Sequence, residues 1–169
     1  MRKLQNQLQK AQSSAWHRWW LNFGLMRIVP FNAPHRIKIT EITDESITVK
    51  APYTRRNLNH IRGVHACLLA TVCEYVTGLS LLAKIDPREY RIILKSISME
   101  YHYQAKTDVS ASFTIQPDWL NREILTPLKT TDKIFKELVV DVVDAHQQKV
   151  CTGRMVWQIK SWKHVNTKL

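Results

Sequence analysis

A chain of 169 residues has the length of a single domain, and it buries enough surface on folding to need no disulfide or metal staple. Its composition, 44% hydrophobic and 23% charged, excludes disorder, and four glycines nearly exclude a Gly-rich phosphate cradle. A net charge of +11 admits a solvated basic surface, a phosphate-bearing ligand or nucleic acid. The basic residues are scattered and form no stripe on one helix, so nucleic acid is not expected. Cys67, Cys73 and Cys151 are odd in number, form no C-x-x-C pair and have no histidine at zinc spacing. Two of them fall in an apolar helix, where a free thiol behaves as a small hydrophobe. This suits a reducing compartment, and no secretory signal follows MRKLQNQLQK, so a cytoplasmic location is expected.

In chain order, Leu4, Leu8, Ala11, Ala15, Trp19 and Phe23 recur at three- and four-residue steps and predict one amphipathic helix over residues 2–23. Trp16 and Trp20 widen its stripe, and Gly24 reads as its stop signal. The stripe suits docking on the rest of the domain or on a partner subunit. Its Trp, Lys and Arg content would also suit an interfacial anchor. The small Ala11 and Ala15 favour close packing on protein for Trp19 and Phe23, and membrane association is not expected. Residues 27–36, with Pro30 and Pro34, read as a linker. The chain therefore divides into a helix-plus-linker unit, 1–34, and a folded domain, 35–169.

Residues 36–42 and 46–51 alternate as strands and are joined into a hairpin by Thr43-Asp44-Glu45. The polar loop 53–63 leads into a helix at about 64–83. Leu68, Val72, Tyr75, Leu79 and Leu82 form its bulky apolar row. The opposite side carries Cys67, Ala70, Thr71, Glu74, Thr77 and Gly78, small residues around one carboxylate. Ala66–Ala83 has about the minimum length to span a bilayer, but its Thr, Ser, Cys and Gly content and its place among strands favour a buried core helix. Four further strands follow, around 97–103, 109–115, 135–144 and 150–162, with an irregular or short helical connection at 117–131. Long antiparallel strands beside one apolar helix point to an α+β domain, a curved sheet wrapped around that helix.

This order of elements resembles the hotdog fold, and Asn59-His60-Ile61-Arg62-Gly63-Val64-His65-Ala66 makes the resemblance more specific. Many hotdog acyl-CoA thioesterases carry Asn-x-x-Gly-x-x-His-Gly-Gly where the central helix begins, with Asp or Glu nine residues after the His. Asn59, His65 and Glu74 keep that spacing. Arg62 stands where the pattern has Gly, and Ala66 and Cys67 replace the Gly pair. The chain is most similar to an uncharacterised bacterial branch of the superfamily that also occurs fused to acetyltransferase domains. The resemblance implies a homodimer or tetramer, an acyl-CoA or acyl-carrier-protein substrate, and no cofactor.

The residues support the same chemistry on physical grounds. A helix N-terminus presents free N–H groups and partial positive charge, so the amides of Val64, His65 and Ala66 are candidate oxyanion donors. Glu74 could act as general base or nucleophile, and Asn59 could orient water or cap the helix. Arg55, Arg56 and Arg62 are candidates for a carrier's phosphates. Each has a plainer reading: Glu74 paired with a sheet cation, His65 and Asn59 structural, the arginines solvated. No His/Asp/Glu set has metal-ligand spacing, so no metal is expected. The expected function is acyl-thioester hydrolysis, with a non-catalytic acyl-thioester binding module as the alternative. A dehydratase ranks below both, because the His-Phe-Pro-Gly stretch of those hotdog enzymes is missing.

Overall fold

The computed structural model describes residues 2–165, with side chains from Gln5 onward except that of His164. The predicted hairpin forms from Lys38–Ile42 (β1) and Ser46–Ala51 (β2), paired antiparallel. The Thr43 hydroxyl accepts the Ser46 amide at 2.9 Å across the turn. Ile47, Val49 and Ala51 are buried, as their alternation requires. The central helix, α3, runs Ala66–Lys84 and is followed by Tyr90–Tyr101 (β3) and Val109–Thr114 (β4). Pro117–Leu120 (α4) opens the irregular connection, and Lys133–Asp144 (β5) and Lys149–Ser161 (β6) end the sheet.

The six strands are antiparallel in the order β1-β2-β4-β5-β6-β3. Helix α3 touches β2, β3, β4, β5 and β6, so the sheet wraps it: this is the hotdog fold. By length and composition α3 could cross a membrane, but most of it is buried in this sheet. Val72, Cys73 and Val76 lose all measurable exposure. Burial of each large apolar side chain contributes about 1.5–3 kcal/mol, which fixes the helix by its apolar row.

Two glycines let the helix and sheet approach. A Cβ on Gly153 of β6 would lie 2.8 Å from the Cys73 sulfur, and one on Gly78 of α3 would lie 2.9 Å from the Trp157 ring. Strand β3 begins earlier than its alternation suggests. A register shift between Leu94 and Ser96 breaks the period-two pattern there and hides the first half of the strand.

The N-terminal segment departs from expectation. Instead of one helix there are two, Arg2–Ser13 (α1) and Ala15–Ile28 (α2). Ser14 stands between them in extended conformation, and its hydroxyl accepts the His17 amide at 3.3 Å as an N-cap. The break resets the helical phase. Leu8 and Ala11 are buried, but α2 buries Leu21, Asn22 and Leu25 and leaves Trp19 and Phe23 exposed. Those two rings therefore do not dock on the rest of this chain; the side chain of Leu4 lies outside the described residues. Gly24 lies within α2 and does not end it, and the expected linker begins only after Ile28, with a 3-10 turn at Pro30–Asn32.

Asn22 fixes α2 to the sheet. Its side-chain amide donates to the Ile39 carbonyl at 2.9 Å and accepts the Ile39 amide at 2.8 Å, where the β1–β2 register shifts. A buried side chain thus serves both backbone groups of an edge-strand residue. Asn22→Ala leaves both without a partner and is expected to lower unfolding free energy by about 2–3 kcal/mol in a denaturant titration; an unchanged midpoint would show that the clamp adds nothing.

Candidate active site

The loop before α3 is held by its own polar groups. The Asn59 side-chain oxygen accepts the amides of Ile61 (3.1 Å) and Gly63 (2.9 Å), and the Asn59 amide donates to the Gly63 carbonyl at 2.9 Å. Asn59 therefore shapes the loop. Arg62 has φ 60°, the left-handed backbone that glycine adopts freely, so this position keeps the conformation the thioesterase pattern assigns to Gly. Its side chain is exposed, as are those of Arg55 and Arg56 in the 3-10 turn Arg55–Asn57.

Two of the three expected oxyanion donors are already engaged. The Val64 amide donates to the Ala105 carbonyl at 2.9 Å and the His65 amide to the Asn57 carbonyl at 2.8 Å. His65 is the N-cap of α3: its ring Nδ1 accepts the Cys67 amide at 3.1 Å. Of the amides considered, that of Ala66 alone has no acceptor among the described residues, and Ala66 is exposed.

Glu74 lies elsewhere. With a rise of 1.5 Å per residue, it stands about 12 Å along the helix from Ala66. It lines an open cavity of about 860 Å³ bordered by α1, α2, α3, the start of β3 and β6. Gly78, Leu79 and Trp157 form its floor, and Trp16, Trp20, Leu21 and Leu25 form its other wall. Trp157 is fixed by donating its indole N–H to the Thr77 hydroxyl at 3.1 Å. The missing side chain at Gly78 leaves room for that ring and for the carboxylate, whose oxygen would be 3.9 Å from a Cβ there. His17 also lines the cavity, and its Nδ1 is buried without a hydrogen-bond partner among the described residues.

Burial pushes the Glu74 carboxyl above its ordinary 4.5, and among the described residues no ion pair offsets the effect, although Lys10 lines the same cavity. The Tyr75 hydroxyl is also driven up, by burial and then by the Glu74 charge. The structure thus separates the expected site residues into two groups. Asn59, His65, Ala66 and the three arginines gather where α3 begins, and Glu74 sits in the cavity. Trp157, His17, Trp16 and Trp20 are cavity residues that sequence reasoning did not assign. An isolated Gly78 inside a helix was the one available signal of a close approach.

The match to known families comes from several directions. Residues 17–159 match the profile of a family described as "Domain of unknown function (DUF4442)". No match exists among proteins of curated function. In structure the chain is similar to PA5026 of Pseudomonas aeruginosa, described as a protein of unknown function and probable thioesterase. The two are 20% identical, with 83% of this chain and 94% of that one covered and a TM-score of 0.77. It is also similar to the thioesterase HI1161 of Haemophilus influenzae, at 10% identity, 81% and 87% coverage and a TM-score of 0.61. The thioesterase SAV0944 of Staphylococcus aureus matches at 12% identity, 78% and 98% coverage and a TM-score of 0.60. At these identities the likeness is one of fold.

The raised Glu74 pKa has a sign that can be tested. The folded state holds this proton more tightly than the unfolded state, so stability falls as pH rises from the unfolded value through the folded one. Glu74→Gln removes that penalty. The variant should be more stable than wild type at pH 8, and the gain should vanish as pH approaches 4.5. Thermal melts across pH check this; a variant destabilised at pH 8 would reveal a cationic partner.

Proposed function

The chain belongs to the DUF4442 family, and from that premise we propose that it hydrolyses an acyl thioester, with Glu74 as general base or nucleophile. The observation that carries the reading is a carboxyl with no hydrogen-bond or ion-pair partner among the described residues, raised in pKa by burial, in a large and mostly apolar cavity. Perturbed carboxylates in such cavities are strong candidates for general bases. The cavity suits the acyl chain, since about 860 Å³ lies at the upper end of the usual ligand-pocket range of roughly 300–1,000 Å³.

The separation between Ala66 and Glu74 supports a site shared by two copies. Ala66, Cys67, Ala70, Thr71 and Glu74 form a stripe of small residues that is exposed or half-buried in the single chain. Strand β3 is an edge of the sheet, and its Ile97 and Tyr101 face the helix side opposite Met155 and Cys151 yet remain exposed. An unpaired edge with uncovered apolar residues invites a second chain. A two-fold pairing of antiparallel α3 helices centred on Ala70 would set the Ala66 amide of one copy opposite Glu74 of the other. In that arrangement Glu74 takes a proton from water, and the water oxygen attacks the thioester carbon. The developing oxyanion is held by the Ala66 amide. The C–S bond then breaks and the thiolate recovers the proton. Arg55, Arg56 and Arg62 lie on the same end of the helix and would meet the phosphates of coenzyme A or a carrier protein.

A spacing in one structural neighbour agrees with this choice. Variants of SAV0944 replace a glutamine and a glutamate fifteen positions apart, the separation between Asn59 and Glu74 here.

Thiol release from an acyl-CoA panel tests the reaction. Glu74→Gln should fold normally and lose turnover by roughly a hundredfold or more, the scale of a general base. Wild-type rate should fall as pH drops through an apparent pKa above 4.5, because the carboxylate must be ionised to accept a proton. Full activity in a stable Glu74→Gln protein would exclude Glu74, and binding without turnover in wild type would favour the acyl-thioester binding module. Ile97→Asp on the exposed edge should convert a dimer to a monomer in sedimentation equilibrium and abolish turnover with it. A wild type that is monomeric yet active would refute the shared site.

A further inference from the structure

We propose that the outer face of α2 docks on an anionic lipid surface. This inference does not depend on the reaction assigned above. Trp16, Trp19, Trp20 and Phe23 form one connected ring cluster: Trp19 stacks on Phe23, while Trp16–Trp20, Trp19–Trp20 and Trp20–Phe23 meet edge to face, at centroid distances of 4.9–5.8 Å. The cluster faces solvent, with Trp16 65%, Trp19 58% and Trp20 45% exposed. Ile28 (77%) at the end of α2 and Phe31 (65%) just after it are also exposed. A contiguous aromatic surface of this kind marks an interaction site.

The cluster cannot turn inward. Leu21, Asn22 and Leu25 occupy the buried side of α2, and both hydrogen bonds of Asn22 to Ile39 set the rotation of the helix about its axis. The burial of one face and the Asn22 clamp thus present the other face as a fixed aromatic platform.

Charge identifies the partner. Residues 1–40 contain seven Lys and Arg and no Asp or Glu; all fourteen acidic residues lie from Glu41 onward. The segment thus carries no acid of its own, and the acids nearest α1, Asp44, Glu45 and Glu74, lie on its inner side, away from exposed Arg27 of α2. Arg27 lies over the Phe23 ring, 4.7 Å from its centroid. Trp and Phe beside Lys and Arg form the composition of helices that lie in the headgroup region of anionic bilayers. A second copy of the chain fits less well. A two-fold contact through this face would set two acid-free segments against each other, like charge on like charge.

The position of the cavity agrees with a lipid partner. Trp16, Trp20 and Ile28 both line the cavity and form part of the exposed face. A protein seated on a bilayer through α2 would therefore hold the Glu74 chamber against the lipid, and an acyl chain could pass between them without crossing water.

The test uses the full chain with vesicles of phosphatidylcholine alone and of phosphatidylcholine with an equal share of phosphatidylglycerol. Co-sedimentation should show binding to the anionic vesicles at low salt, with a blue shift of tryptophan emission, and weak binding to the neutral ones. Binding should weaken when salt shortens the screening length to about 3 Å near 1 M. The double variant Trp19→Ser/Phe31→Ser alters two exposed rings outside the cavity and should bind anionic vesicles roughly tenfold more weakly at an unchanged melting temperature. Arg27→Glu provides a second, charge-based variant and should weaken binding in the same direction. Absence of vesicle binding by wild type at low salt would overturn the proposal, as would equal binding by wild type and both variants. If the double variant instead dissociates an oligomer in sedimentation velocity while vesicle binding is unchanged, the face belongs to a second copy and the proposal fails.

Discussion

The distance between α3 and β6 governs the rest of the molecule. Two absent side chains set it: Gly153 admits the Cys73 sulfur, and Gly78 admits the Trp157 ring. A methyl group at either position would have to displace a buried group in a close-packed interior, which typically costs about 1–3 kcal/mol. With the helix seated at this depth, the Trp157 indole reaches the Thr77 hydroxyl and becomes a rigid floor. The floor of the cavity and the partial burial of Glu74 follow from that seating. The carboxyl is perturbed because the helix lies deep, and among the described residues it makes no ion pair.

The N-terminal helices complete the chamber, and the way they are attached separates two roles. One side of α2 packs on α1 and β1 and lines the cavity. The other side is left to solvent with its rings in mutual contact. A single polar residue, Asn22, decides which side is which, because its amide replaces backbone pairing that edge strand β1 would otherwise lack at Ile39. Turning the helix by one residue would forfeit both bonds.

Much of this fold is legible in the sequence, for reasons that can be named. Helix α3 stands out because an uninterrupted apolar pattern around one carboxylate has few uses in a soluble domain. The hairpin at residues 38–51 is legible because Ile47, Val49 and Ala51 alternate without a break. The missed features are those where a local signal competed with a periodic one. Ser14 is a good N-cap, yet it falls in a stripe that keeps helical spacing across it, so two helices read as one. The bulge near Leu94 breaks the alternation of β3 and conceals half the strand. Within the site, Glu74 was identifiable as the sole Asp, Glu, Lys, Arg or His between Ala66 and Ala83. The fate of the amides was not, because their acceptors, the carbonyls of Asn57 and Ala105, are brought there only by the folded loops.

The strand order has a consequence for how the chain folds. β3 has one neighbour in the sheet, β6, and is paired with it from Tyr101↔Cys151 to Tyr90↔Ser161. β5 also depends on β6 for nearly all of its length. The last of the six strands in chain order is thus the partner of two others and one of the five strands that touch α3. Until it emerges, the nascent chain carries an apolar helix of membrane-spanning length with no complete surface to cover it. Pairings this distant in sequence are slow to close, because the loop entropy is spent before the contacts form. Closure of the sheet therefore waits on β6, and until it pairs the chain exposes the kind of apolar segment that makes folding intermediates prone to aggregate.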